Sequence, residues 1–187
     1  MNGPRRRTLR LLALAGLGLG SGIVKARTRA AQVDFTRPEA MEVLRVVNDG
    51  VMGGESLSAF RPDPAGVVFE GRVSLENNGG FASLRSPAAF PAGTSALELT
   101  ARGDGKRYKF ILRIDASPRA PIYQCDFTAG PDWQGHRFLP GDFMASFRGR
   151  AVDAPTLAFS EAREFGILIA DQQAGAFRLQ LARLDTR

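Results

Sequence analysis

Tyr108-Lys109-Phe110-Ile111-Leu112-Arg113-Ile114 is the stretch on which the fold turns. Tyr108, Phe110, Leu112 and Ile114 point one way while Lys109 and Arg113 point the other. That period of two sets one face of a strand on a core and the other in water. Near the C-terminus Phe177, Leu179 and Leu181 stand opposite Arg178 and Gln180 in the same fashion. Outward from these two strands, residues 33–187 break into short apolar or alternating runs. They are Met41–Val47, Val67–Leu75, Phe81–Arg85, Ala96–Ala101, Tyr108–Ile114, Ile122–Phe127, Trp133–Leu139, Glu164–Ala170 and Ala176–Leu184, separated by Gly, Pro, Asn and Asp. No stretch sustains a 3.6-residue period long enough to cross between parallel strands. Short helical turns are expected after Arg37-Pro38-Glu39 and Leu139-Pro140-Gly141. Strands this short, punctuated about every eight to twelve residues, predict an antiparallel β-sandwich. The domain is expected over 34–187, all-β and undivided.

The turns carry the next layer. Asn48-Asp49-Gly50 closes the first strong strand, and Met52-Gly53-Gly54 follows at once. Asn77-Asn78-Gly79-Gly80 links Val67–Leu75 to Phe81–Arg85, and Gly103-Asp104-Gly105 leads into Tyr108–Ile114. Asn-Gly and Asp-Gly tolerate positive φ, so each is expected to close a hairpin. Two readings stay open for Asn48, Asp49, Gly50, Met52, Gly53, Gly54, Asn77, Asn78, Gly79 and Gly80. If these ends converge, their amides and side chains form a rigid polar binding surface, extended by Asp104, with Trp133 or Phe143 as an apolar anchor. Otherwise the glycines serve tight turns, and Asn77 and Asn78 bond neighbouring backbone.

Composition excludes several chemistries. One Cys and one His leave no internal disulfide, no Cys₄ or Cys₂His₂ zinc site and no iron–sulfur ligand set. A nucleophile–base pair would have to use His136, which is expected as an exposed strand residue, and Cys125 is expected to fill core space. The glycine loops lack the Lys-Ser/Thr ending of a phosphate loop. Calcium could use Asn48, Asp49 and Asp104, although such side chains more often cap their own turns. No metal and no cofactor are expected. Phe143, Met144 and Phe147 lie between turns and are expected to pack beneath a loop.

The net charge of +6 is misleading. Residues 1–26 hold Arg5, Arg6, Arg7, Arg10 and Lys25 and no acid, which leaves 20 bases against 19 acids elsewhere. The body is near neutral and its charges are interspersed, so nucleic acid is not an expected partner. Met1–Ala26 reads as an export signal: a positive start, an apolar Leu9–Val24, and small Val24 and Ala26 about a cleavage point. Arg6-Arg7-Thr8-Leu9 resembles the twin-arginine consensus, implying a bacterial periplasmic or envelope destination. Uncleaved, the leader would be the chain's only membrane attachment, and residues 27–33 would be a short linker.

Two segments resemble a known family. Val47-Asn48-Asp49-Gly50-Val51-Met52-Gly53-Gly54-Glu55-Ser56 and Phe69 through Leu75-Glu76-Asn77-Asn78-Gly79-Gly80-Phe81-Ala82-Ser83 are similar to motifs of the complex I intermediate-associated protein 30 family. Gly103-Asp104-Gly105 with Tyr108, Trp133 through Phe143, and Glu164-Phe165-Gly166-Ile167 follow in the same order. The resemblance implies a galactose-binding-domain-like jelly roll and a non-catalytic role. Mitochondrial members act as assembly factors that bind partly built respiratory complex I, so a protein partner such as a membrane respiratory subunit is implied. A glycan-binding module is the alternative that the jelly roll suggests.

Overall fold

The computed structural model describes residues 31–117 and 119–187. The export leader expected over 1–26, and the start of the expected linker, lie outside the described residues. The alternation about Tyr108 is realised in β7 (Arg107–Arg113), where Tyr108, Phe110 and Leu112 are fully buried. It belongs to a seven-stranded antiparallel sheet in the order β11 (Arg150–Ala151), β10 (Met144–Phe147), β8 (Ile122–Thr128), β7, β12 (Glu164–Ile169), β5 (Ala82–Pro87), β2 (Arg45–Asn48). The facing sheet runs β3 (Leu57–Asp63), β4 (Gly66–Val73), β13 (Gly175–Thr186), β6 (Leu97–Gly103), β9 (Gln134–Phe138), with β1 (Ala31–Asp34) also on β13. The two sheets form a jelly-roll β-sandwich. β1 starts ahead of the expected Asp34 boundary. Among the described residues no helix is long and apolar enough to cross a membrane.

Phenylalanine fills the space between the sheets. Phe110 stacks on Phe138 of the opposite sheet, with centroids 4.8 Å apart, and on Phe165 of β12 at 6.0 Å. Phe143 packs against Phe138 at 6.2 Å and Phe159 at 5.8 Å, so it is part of the core and no anchor for a partner. Such rings bury large apolar areas and gain further from their edge and stacked geometries.

Several elements differ from expectation for identifiable reasons. The run Met41–Val47 divides: α1 (Pro38–Glu42) takes its start, with Pro38 in the first turn, and β2 takes its end. β3 was hidden by Pro62, which a strand accepts because β3 is a sheet edge and needs only one partner. Met144–Phe147, expected beneath a loop, is strand β10. Pro140–Asp142 forms the expected helical turn, of the 3-10 type.

The three expected hairpins are not hairpins. β2 and β3, β4 and β5, and β6 and β7 lie in different sheets, so each Gly-rich turn carries the chain across the sandwich. β8 to β9 and β12 to β13 cross as well. Registers place these five crossings at one end: Asn48 opposes Ala82, Gly175 opposes Val73, Gly103 opposes Leu179, and Thr128 opposes Arg107; β1 to β2, β5 to β6 and β9 to β10 cross at the other. A turn permissive of positive φ fixes how sharply the chain reverses. Which sheet receives it depends on where the next apolar face finds a partner. One tight hairpin is Phe147–Arg150, with Arg148 and Gly149 at φ 51 and 76.

Phe110→Ala should cost about 3–5 kcal/mol of unfolding free energy, because the cavity lies where both sheets meet. Met144→Ala, on a residue 63% exposed, should stay within about 0.5 kcal/mol. Urea unfolding of the two variants checks this, and equal losses would contradict the placement of the core.

Candidate functional site

Asp49 begins a 3-10 turn, Asp49–Met52, that Gly53 ends at φ 90. Its side chain is fully buried. Oδ1 accepts the Ser56 N–H at 2.9 Å, and Oδ2 accepts the Ser56 hydroxyl at 2.5 Å and the N–H groups of Gly80 and Phe81 at 2.6 and 3.2 Å. Ser56 Oγ in turn accepts the Ser74 N–H at 3.0 Å. One carboxylate therefore joins the β2–β3 crossing to the β4–β5 crossing. Burial alone would raise its pKa. The Ser56 hydroxyl and the backbone N–H groups of Gly80, Phe81 and Ser56 outweigh burial and hold the carboxyl below its ordinary range.

The glycines follow from this packing. A Cβ on Gly54 would overlap the Asp49 carboxylate, and one on Gly79 would lie 2.6 Å from Oδ2. Asn77 and Asn78 take φ of 54 and 58, which Asn tolerates better than most residues. Asn77 Nδ2 donates to Glu55 Oε1 at 3.2 Å, and Asn48 Oδ1 accepts the Ser58 hydroxyl at 2.6 Å. Of the residues expected to form a binding surface, Asp49 is thus interior, and Gly54, Gly79 and Gly80 surround it. Gly50, Gly53, Asn77 and Asn78 remain exposed. On the same two crossings Leu57 is 73% and Leu75 43% exposed, apolar surface that no local sequence signal marks.

Asp104 and Trp133 form a separate group at the same end. Asp104 Oδ1 accepts the Tyr108 hydroxyl at 2.9 Å, and Oδ2 accepts the Arg178 N–H at 2.9 Å. The Arg102 guanidinium lies over Trp133, 4.8 Å from the ring centroid, and donates through Nε to Gln180. Arg102, Asp104, Pro131, Arg178 and Gln180 line a cavity of about 270 Å³. Asp49 is taken up by four donors and Asp104 by two, and among the described residues the two acids share no hydrogen-bond partner. Among the described residues no three His, Cys, Asp or Glu side chains group in a way that could hold a metal.

His136 departs from the expected exposed position. It is half-buried, its ring 4.8 Å from Phe127, and burial lowers its pKa. Among the described residues its Nε2 has no hydrogen-bond partner. Cys125 packs against the core, and burial, aided by the charges of Asp142 and Asp126, pushes its thiol up to about 11.

A third group was not legible in the sequence. Arg45, Arg85 and Arg113 sit on neighbouring outward positions of β2, β5 and β7, around Glu164 of β12. Glu164 pairs with Arg45, with Arg85 at 3.4 Å and with Arg113 at 4.0 Å. With Asp115, Ala116 and Arg163 they line a cavity of about 320 Å³ at the end opposite those five crossings. Burial lowers the pKa of Arg85, and the nearby Arg113 and Arg45 charges lower it further against the pull of Glu164.

The model of one protein family, described as complex I intermediate-associated protein 30, matches residues 33–181. No curated protein matches the chain in sequence. Among solved structures, a family 11 carbohydrate-binding module of the cellulase Lic26A-Cel5E of Clostridium thermocellum is similar with TM-score 0.56 and 10% identity, covering 78% of this chain and 88% of that one. The Clostridium thermocellum module in complex with a β-1,3-1,4-mixed-linked tetrasaccharide gives TM-score 0.52 at 11% identity, over 76% and 86% of the two chains. An agarase, AgWH50C, gives 0.50 at 12% identity, with 84% of this chain covering 24% of the enzyme. At such identities the likeness speaks for the fold: this is the galactose-binding-like jelly roll that the sequence resemblance implied.

Asp49→Ala should lose at least about 3 kcal/mol, since it removes the acceptor of the Ser56, Gly80 and Phe81 N–H groups at once. Because the folded pKa is depressed, the Asp49 contribution is complete above the unfolded carboxyl pKa and fades as pH falls through the lower folded value, below about pH 4. Asp49→Asn should flatten that part of the acid stability curve. Urea midpoints between pH 7 and pH 2 measure both, and an unchanged acid limb in Asp49→Asn would refute the role of the carboxylate.

Proposed function

The chain belongs to the complex I intermediate-associated protein 30 family, and on that premise we propose that it is a non-catalytic binding module that holds a protein partner. The partner class is the subunits of a membrane respiratory complex, and the role is that of an assembly factor or chaperone. The leader read over residues 1–26 supports action in the periplasm or cell envelope of a bacterium. The carrying observation is the crossing end of the sandwich. There a buried carboxylate locks two loops, and the same loops expose Leu57 and Leu75 beside Asn77, Asn78, Glu55 and Glu76. A rigid end loses little entropy on binding, and exposed apolar side chains inside a polar rim are what protein partners cover. His136 facing Phe127 supports a role without chemistry of its own.

A second reading has its own observation. Trp133, 36% exposed, is backed by Arg102, which lines the cavity of about 270 Å³, in a fold shared with carbohydrate-binding modules. An exposed aromatic beside polar groups is suited to a sugar ring.

Crosslinking in the native envelope followed by mass spectrometry separates the two. The wild-type protein should capture respiratory-complex subunits, and a Leu57→Ser/Leu75→Ser variant with an unchanged melting temperature should lose most of that signal. Trp133→Ala should retain it. Undiminished capture by the leucine variant would refute the proposed surface. Binding of a β-1,3-1,4-linked tetrasaccharide that Trp133→Ala abolishes would favour the glycan reading instead.

A further inference from the structure

On the outer face of the seven-stranded sheet, four arginines and two acids line one cavity. Arg45, Arg85 and Arg113 all turn toward Glu164. Asp115, the other acid lining the cavity, accepts the Ser117 N–H through Oδ1 at 2.8 Å, and among the described residues its carboxylate makes no ion pair with an arginine. Arg113 directs Nη2 to the Ser117 carbonyl at 2.9 Å, so part of its fork is already used. Arg163 is exposed, and its side chain has no hydrogen bond or ion pair among the described residues. Its backbone is nevertheless fixed: the N–H donates to the Arg113 carbonyl at 2.8 Å, and the carbonyl accepts the Ala88 N–H at 2.9 Å. Positive charge exceeds negative here although the body of the chain is near neutral.

The arrangement is built. Arg85 and Arg113 keep only 16% of their side-chain exposure, and so does Glu164. Arg85 Nε is steadied by Ser83 Oγ at 3.3 Å. Gly166 makes room for it, because a Cβ there would meet the Leu84 carbonyl at 2.7 Å and Arg85 Cγ at 3.2 Å. Desolvated guanidiniums sharing one carboxylate retain unmet donors, and their planar forks match a second carboxylate in two-point fashion.

Resting on the protein-binding reading above, we propose that this cluster is the receptor for an Asp or Glu side chain of an acidic partner segment, which seats between Arg45, Arg85 and Arg163. Among the described residues no aromatic side chain lines the cavity, so a sugar ring finds no stacking surface beside the charge. A cavity of about 320 Å³ takes one or two carboxylate side chains, and the crossing end supplies the apolar contact elsewhere on the same molecule.

The test uses the full chain and a fluorescein-labelled hexaglutamate peptide, followed by anisotropy at low ionic strength, with hexaglutamine and hexalysine as controls. Hexaglutamate should bind and the controls should not, and added salt should weaken it. Arg163→Gln removes an exposed group without a side-chain partner among the described residues and should weaken binding roughly tenfold, as expected for one charge-assisted contact. Arg163→Lys should recover part of the loss, and Arg137→Gln, on the opposite sheet, should change nothing. Equal affinity in Arg163→Gln and wild type would overturn the proposal. So would silence toward hexaglutamate, or binding only of trigalacturonate or of phosphatidylglycerol vesicles offered in parallel. Silence in this assay with envelope crosslinks intact sinks the arginine site alone; loss of the crosslinks sinks the protein-binding reading itself.

Discussion

A carboxylate taken out of water is costly unless donors replace its hydration, and Asp49 meets that constraint by receiving four of them. Two come from Ser56 at the start of one sheet, and two from Gly80 and Phe81 at the entry to the other. The interaction therefore closes the sandwich where five connections pass between sheets. It also dictates composition around it. Gly54 and Gly79 lie so close that a Cβ would collide with the carboxylate, and the two successive left-handed asparagines bring the Gly80 N–H into range. The motifs that carry the family resemblance are thus chiefly the shell of one buried anion.

The outer face of the seven-stranded sheet shows the contrast between compensated and uncompensated charge. Near the crossings Lys109 is buried, yet it reaches Asp126 at 2.7 Å and Asp171 at 2.8 Å, with Arg107 beside both. Burial would lower the Lys109 pKa, but the two carboxylates outweigh it and keep the ammonium charged. Acids and bases match there, and the cluster is a closed structural unit. At the far end one glutamate serves several arginines, and the surplus leaves donors to offer.

The strands were largely legible because alternation is a local signal. Tyr108-Phe110-Leu112 and Phe177-Leu179-Leu181 mark their own inward faces, and no knowledge of neighbours is required to see it. Where signals are local but ambiguous, sequence and structure part. Pro62 masks an edge strand, and Asn-Gly and Asp-Gly turns predict hairpins although φ preference carries no information about the destination sheet. Asp49 looked like a surface residue for the same reason: a polar side chain in a glycine loop is usually solvated, and only its four donors reveal that it is not.

What the chain of residues determined by itself is the all-β class, the approximate strand positions and the sharp Gly-rich turns, since each follows from the chemistry of neighbouring residues. What tertiary structure decided is which turns cross, which acid is buried, and which arginines meet. Arg45, Arg85, Arg113 and Glu164 are far apart along the chain and become neighbours only through the register of β2, β5, β12 and β7. Register is chosen by burying the inner faces of the whole sandwich together, a free energy that no single segment contains.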